Sequence, residues 1–241
     1  MGRHAYILFM FLSAAVFLAA RHFVPKPPGI ATLPLWKRLA LLWAVLIGAA
    51  FGAKIGYTVA YGGDWLASGT WLTDGKTVTT GLLGAYVAVE LMKWVLCIHV
   101  KTGDTFALPL ALAMSVGRWG CFFNGCCYGT PTDLPWGIDF GDGSRRHPTQ
   151  IYESLFHLSM AVLIGWLMAR DLCRTHLLQL YLIAYAVFRF ATEFIRPEEV
   201  WLLGLTFYQW VCIAMAAGLA GQWWYEERRG STVLGPARAA E

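Results

Sequence analysis

The residues able to do chemistry in this chain gather between Gly117 and Glu153, in GRWGCFFNGCCYGTPTDLPWGIDFGDGSRRHPTQIYE. The stretch holds Arg118, Asn124, His147, Glu153 and three cysteines, Cys121, Cys126 and Cys127, among many glycines. A second polar group stands in YAVFRFATEFIRPE, where Arg189, Glu193 and Arg196 have spacings of four and three. On a helix those spacings put the three side chains on one face, so Glu193 can hold either arginine in place. Two arginines against one glutamate leave a positive charge in low dielectric, and a guanidinium grips phosphate through two parallel hydrogen bonds. The pattern points to phosphate binding, against the plainer reading of a salt bridge that neutralises itself.

The remaining polar residues can be assigned roles by type. Arg118 lies beside Gly117 and Gly120, which let backbone or a ligand approach closely. The plainer alternative is an arginine snorkelling to lipid phosphate. His147 is a candidate general base, because imidazole titrates near neutrality. It opens HPTQIYE, where Pro148 suits a first helical turn and Gln150 and Glu153 can share a face. Equally, this group can simply cap a helix start. Asn124 can donate to a phosphate or ester oxygen, or cap its own turn. Lys54, in GAKIGYTVAY, is a further cation for the same site. The spacing C-x4-C-C is not a usual zinc pattern, and adjacent cysteines rarely ligate one metal. A metal, a thiol nucleophile, a disulfide and small-residue packing all remain open for it.

The elements that carry these residues are apolar. The 241 residues are 57% hydrophobic and 14% charged, with mean hydropathy +0.50, where a soluble domain carries about 25% charged residues. Seven apolar segments run roughly Ala5–Phe23, Leu39–Tyr61, Thr79–Val100, Phe106–Phe123, Gln150–Met168, Leu177–Ile195 and Leu205–Trp224. Their lengths suit a hydrocarbon core of about 30 Å. They predict an all-α integral membrane protein of about seven helices, in one domain over 1–229 with a disordered cytoplasmic tail over 230–241. The first segment reads as a membrane helix rather than a cleaved leader. Gly117, Gly120 and Gly125 predict that the fourth breaks or re-enters. The net charge of +4 is modest, and the basic residues sit between apolar runs. They therefore read as topology signals and not as a nucleic-acid patch.

Arg21, Lys26, Lys37, Arg38, Lys93, Lys101, Arg170, Arg174, Arg228 and Arg229 outnumber Lys76, Arg145, Arg146 and Arg196 on the alternate loops. The richer side marks the cytoplasm. The N-terminus then faces out, the C-terminus faces in, and the polar constellation lies at the outer leaflet. Pro25, Pro27, Pro28 and Gly29 predict a stiff inner connector.

Four segments together resemble a known family. GRWGCFFNGCCYG resembles G-R-x-G-N-x-x-N-G-E-x-x-G, and RHPTQIYE resembles R-H-P-S-Q-L-Y-E. YAVFRFATEFIR resembles Y-x-x-F-R-x-x-x-E-x-x-R, and GAKIGYTVAY resembles a G-A/G-R-x-G-Y segment. These are signatures of the prolipoprotein diacylglyceryl transferases, and the resemblance covers most of Leu39 to Tyr225. It implies a seven-helix enzyme of the bacterial cytoplasmic membrane. Such an enzyme moves the diacylglyceryl group of phosphatidylglycerol onto the lipobox cysteine thiol of a prolipoprotein and releases glycerol phosphate. It further implies that Arg118 and Arg189 are the essential arginines at the lipid headgroup. Asn124, Gly129, His147, Tyr152, Glu153, Tyr185, Glu193 and Arg196 match other motif positions, with Tyr6 matching a tyrosine of the first helix.

The partners implied are phosphatidylglycerol, a prolipoprotein and the lipid bilayer, with no nucleic acid. The chemistry requires no metal and no redox cofactor. His147 is the best base left in the sequence, with Glu153 to orient it. The chain departs from the family at three places. Cys121 replaces an asparagine, Cys126 replaces an acid, and Thr79-Thr80-Gly81 stands where the family has His-Gly-Gly, whose histidine is assigned a catalytic role. The departures keep two alternatives open: a paralogue using another lipid donor or acceptor, and a non-enzymatic lipid-binding or transport protein.

Overall fold

In lipid every backbone N–H and C=O must be satisfied within the chain, which favours helices. The computed structural model describes residues 2–25, 30, 32–61 and 77–228, and among these it contains seven long helices. They are α1 (Gly2–Phe23), α2 (Leu35–Tyr61), α3 (Val78–Val95), α4 (Asp104–Phe123), α5 (Thr149–Ala169), α6 (Leu177–Glu193) and α7 (Phe207–Arg228). Each matches one apolar segment of the sequence. The ends differ most at α3, which stops five residues before Val100, while α2 begins four residues before Leu39. Five of them, α1 to α5, are long and apolar enough to cross a membrane. Their outward faces carry large exposed apolar side chains such as Phe11, Leu46, Trp94 and Val162. α6 is shorter at 17 residues, and α7 carries Gln209, Gln222, Glu226 and Glu227. Pro27, Pro28, Gly29, the loop over 62–76 and the tail over 230–241 lie outside the described residues.

The structure differs from the sequence-based expectation in two respects. The fourth helix neither breaks nor re-enters. α4 is continuous to Phe123, and its glycines serve packing instead. A Cβ on Gly117 would meet Ser13 and Met10 of α1 at about 3.4–3.5 Å, and one on Gly120 would meet Phe9 at 3.1 Å. The loops also hold two short antiparallel hairpins. β1 (Ile138–Asp139) pairs with β2 (Arg145–Arg146), and β3 (Val200–Leu202) pairs with β4 (Leu205–Thr206).

The described chain groups into two compact units. The first contains α1, α4, α5, α6 and the β1–β2 hairpin, and the second contains α2, α3, α7 and the β3–β4 hairpin. In the first unit α4 is central, touching α1, α5 and α6. Ser13 Oγ donates to the Ala113 carbonyl at 2.7 Å, tying α1 to α4. Tyr181 OH and His157 Nδ1 meet at 2.8 Å between α6 and α5. In the second unit α2 and α3 lie backbone to backbone along Gly48, Gly52 and Gly56 of α2 and Thr80, Gly84 and Ala88 of α3. Small residues one turn apart on both helices permit this approach.

Candidate functional site

All the polar residues singled out between Gly117 and Arg196 fall in the first unit. Their depth is set at the far end of the helices. Asp104, at the start of α4, accepts the Leu177 N–H at 2.9 Å and also the Thr175 N–H. The Leu177 N–H is a donor that the start of α6 leaves without a helical partner, and Thr175 lies just before the helix. α4 and α6 therefore run the same way from one clamp. Arg118 stands 14 residues from Asp104, and Arg189 stands 12 from Leu177. At 1.5 Å per residue the two rise about 21 and about 18 Å, to nearly the same level. α5 begins at that level. Ser115 Oγ donates to the Ser154 carbonyl at 3.0 Å and Ser154 Oγ to the Ser115 carbonyl at 2.9 Å. This lock holds Glu153, the neighbour of Ser154, against Arg118.

Glu153 is the hub. It is 1% exposed and pairs with Arg118, with Arg189 Nη1 at 3.7 Å and with Arg196 Nη1 at 3.6 Å. Arg189 Nη2 also reaches Glu193 Oε2 at 2.8 Å, and Arg196 Nε lies 3.6 Å from Glu198. The excess positive charge expected from the sequence is corrected by this count. Three guanidinium groups face three carboxylates, because Glu153 and Glu198 join the local Arg189–Glu193 pair. A buried charge persists when paired in this way. The network remains rich in unused donors, however. Arg118 Nε, Arg189 Nη1 and Arg196 Nε are buried and make no hydrogen bond, although Arg189 Nη1 and Arg196 Nε stand at ion-pair distance from Glu153 and Glu198. α6 ends at Glu193, so Arg196 approaches from beyond the helix and not along its face.

His147 takes a different position from the one expected. Its Nδ1 lies 3.4 Å from Tyr152 OH, and Tyr152 OH in turn accepts from Trp136 Nε1 at 2.8 Å. Glu153 faces the arginines, so Tyr152 and not Glu153 is the group beside the imidazole. Tyr152 also lines an open apolar groove with Pro135, Trp136, Pro148 and Leu155. Gly129 fixes this region. A Cβ there would come within 2.8 Å of His147 Cβ and 2.5 Å of the Ile195 carbonyl. Only glycine lets residues 129–130 slip between the two segments. The Gly129 N–H then donates to the His147 carbonyl at 2.9 Å and the Thr130 N–H to Ile195 at 2.8 Å.

Asn124 is exposed and caps α4, its N–H donating to the Gly120 carbonyl at 3.0 Å. Tyr185 is fully buried and stacks on His157, with ring centroids 5.2 Å apart. Tyr6 sits on α1, whose backbone there packs on Gly120. Lys54 belongs to α2 in the second unit. Thr79, Thr80 and Gly81 are buried at the start of α3. A Cβ on Gly56 would strike the Thr80 side chain, and Thr77 Oγ1 donates to the Ala53 carbonyl at 3.3 Å.

Two features were missed in the sequence. His157 is buried one turn after Glu153 and paired to Tyr181, and its place at i+4 from Glu153 was the available signal. The second is the convergence of the cysteines. The sulfurs of Cys121, Cys126 and Cys127 lie within 4.8 Å of one another, with Arg118 Nη1 3.8 Å from Cys121 Sγ. Hydrogen bonds from the Cys121 and Cys126 thiols, helped by the charges of Arg118 and Arg196, pull the Cys127 thiol below its ordinary value.

Known proteins are similar to this chain over most of its length. A family model described as prolipoprotein diacylglyceryl transferase matches residues 4–225. A phosphatidylglycerol–prolipoprotein diacylglyceryl transferase of Polaromonas is 30% identical over 90% of this chain and 86% of its own length. One of Polynucleobacter asymbioticus is 32% identical over 88% of this chain and 87% of its own. A second such transferase of Streptomyces coelicolor is 31% identical, covering 89% of this chain and 72% of its own length.

Proposed function

Because the chain belongs to the prolipoprotein diacylglyceryl transferase family, we propose that the arginine–glutamate cluster holds the phosphate of phosphatidylglycerol during transfer of its diacylglyceryl group. The enzyme is a membrane transferase of lipoprotein biosynthesis. It moves that group to the cysteine thiol of a prolipoprotein and releases glycerol phosphate. One C–S bond forms, one C–O bond to the phosphate breaks, and the acceptor thiol loses its proton.

The observation that carries the headgroup assignment is the set of unused donors. Arg118 Nε, Arg189 Nη1 and Arg196 Nε are buried without a hydrogen bond, in guanidinium groups that gather around one shared carboxylate. An unpaired buried donor costs about 1–3 kcal/mol, more when charged, and a phosphate would satisfy it. Negative charge grows on the phosphate as the C–O bond breaks. Donors already aimed there stabilise the transition state more than the ground state. Glu153 and Glu193 hold the guanidinium groups in place, with Tyr185 packed beside them. His147, beside Tyr152 at the edge of an apolar groove, takes the thiol proton. Asn124 and Gly129 shape the turn over the site.

The orientation rests on the loop charges. Seven helices cross the bacterial cytoplasmic membrane, the N-terminus faces out and the C-terminus in, and the active site opens at the outer leaflet. The bilayer and the prolipoprotein are then the partners, with no nucleic acid. Membranes containing the full chain are offered phosphatidylglycerol and a lipobox peptide, and the thioether product is read by mass spectrometry. Arg118→Ala and Arg189→Ala should each abolish product while remaining in the membrane. Normal turnover in both would remove the arginines from the reaction.

A further inference from the structure

Three thiols in the first unit have no part in the reaction above. Cys121 closes the last turn of α4, and Cys126 and Cys127 follow in the loop after it. A zinc ion with Zn–S bonds of about 2.3 Å separates its thiolates by about 4 Å. The three sulfurs here lie within 4.8 Å of one another, close to that spacing.

Adjacent residues in extended chain send their side chains to opposite sides. Cys126 and Cys127 nevertheless turn both thiols to Cys121. Gly125 and Cys127 adopt left-handed conformations, with φ of 64° and 65°. For a residue bearing a Cβ this is strained, and it persists where the surroundings over-determine it. They do so here. The Cys126 N–H donates to the Cys121 carbonyl at 3.1 Å. Gln150 Nε2 donates to the Cys126 carbonyl at 2.6 Å, and Thr149 Oγ1 to the Cys127 carbonyl at 2.5 Å. Arg196 Nη1 reaches the same Cys127 carbonyl at 3.4 Å. The loop is thus held at both carbonyls by the first turn of α5, with its sulfurs turned together.

We propose that Cys121, Cys126 and Cys127 form a binding site for one soft d10 cation, Zn2+ foremost, held by three thiolates with a fourth position open. Thiolate sulfur selects such ions over hard cations. Three thiolates and a divalent ion carry one net negative charge. Arg118 Nη1, 3.8 Å from Cys121 Sγ, supplies the N–H···S contact that an outer shell gives such a ligand. The site stands independently of the headgroup assignment, since either can fail alone.

The test uses the full chain, reduced and purified in detergent, titrated with Zn2+ against a chromophoric chelator. One equivalent should bind, protecting three of the six cysteines from alkylation. Cd2+ in its place should give a thiolate charge-transfer band in the near ultraviolet. Cys121→Ser, Cys126→Ser and Cys127→Ser should each weaken Zn2+ by more than the roughly 10–100-fold that loss of an outer-shell partner costs. Cys97→Ser and Cys173→Ser, exposed and remote in sequence, should leave binding unchanged. Circular dichroism checks that each variant keeps its helices, and the protection pattern of the unmutated chain reports the ligands even where a variant unfolds. The proposal is overturned if the triple-serine variant binds Zn2+ as tightly as the parent. It is overturned equally if the protected thiols are other cysteines, or if the reduced parent binds no Zn2+.

Discussion

Within each unit the helices meet by a different means. In the first, α4, α5 and α6 meet through charge. Glu153 gathers Arg118, Arg189 and Arg196, and Glu193 and Glu198 complete the balance. In the second, α2 and α3 meet through the absence of side chains. A Cβ on Gly52 would lie 2.9 Å from Gly84 Cα, and one on Gly84 would lie 2.9 Å from Gly52 Cα. Buried ion pairs contribute little net stability because desolvation offsets their attraction, while close backbone contact between helices is favourable without any charge. The first arrangement is therefore a poor choice for stability alone. Its use where the arginine donors without hydrogen bonds collect supports the proposal that this unit holds the lipid headgroup.

The largest effect should come at Glu153. Glu153→Leu removes the shared partner of three buried guanidinium groups. Losing one side of a buried pair costs about 3–5 kcal/mol, so the thermal midpoint should fall steeply and lipid transfer should vanish. Glu153→Asp, which keeps the charge on a shorter stem, should restore part of the midpoint before it restores turnover. Thermal unfolding monitored by circular dichroism, beside the thioether assay, reads both. A Glu153→Leu variant as stable as the parent would mean that the cluster does not depend on its hub.

At the second unit the matching test is steric. Gly84→Ala places a methyl group against Gly48 and Gly52 backbone that cannot yield. The cost should be about 1–3 kcal/mol, the range for overpacking a tight contact. Gly221→Ala, on α7, adds the same methyl where no described atom lies within 4 Å. There the gain in helix propensity should be felt instead, up to about 1 kcal/mol. One substitution thus moves the midpoint down at one glycine and up at the other. Equal shifts at both would remove the close α2–α3 contact as their cause.

The comparison also explains what the sequence revealed. The helices were legible because apolar runs of roughly 20 residues allow few other structures in lipid. Arg189 and Glu193 were legible as a pair because i,i+4 spacing is local. The hub was not. Glu153 meets Arg118, 35 positions earlier, and Arg189, 36 later, and such pairings arise only once the Asp104 clamp and the Ser115–Ser154 lock have set the helices in register. Read locally, Glu153 belonged to His147. The glycines of α4 misled for a related reason. Glycine marks a break when it stands alone, but here it marks where α1 packs. The cysteines were the least legible, since their convergence depends on left-handed backbone at Gly125 and Cys127, which no spacing rule conveys.

The smallest effect should come from a second ion pair in the same unit as the hub. Asp142, at the exposed tip of the β1–β2 loop, accepts from Arg146 Nε at 2.6 Å and from the Ser144 N–H at 3.2 Å. The Arg146 hydrogen bond, then the backbone one, holds its carboxyl below the usual carboxylate range. A depressed folded value means that any stability it contributes is present above the ordinary carboxylate pKa of about 3.9 and is lost as pH falls through the lower folded value. In water that contribution is screened and small. Asp142→Asn should leave the thermal midpoint at pH 7 unchanged within error and alter only the acid limb of the stability profile. A neutral-pH loss comparable to that of Glu153→Leu would mean that position in the fold, and not burial, sets what an ion pair contributes.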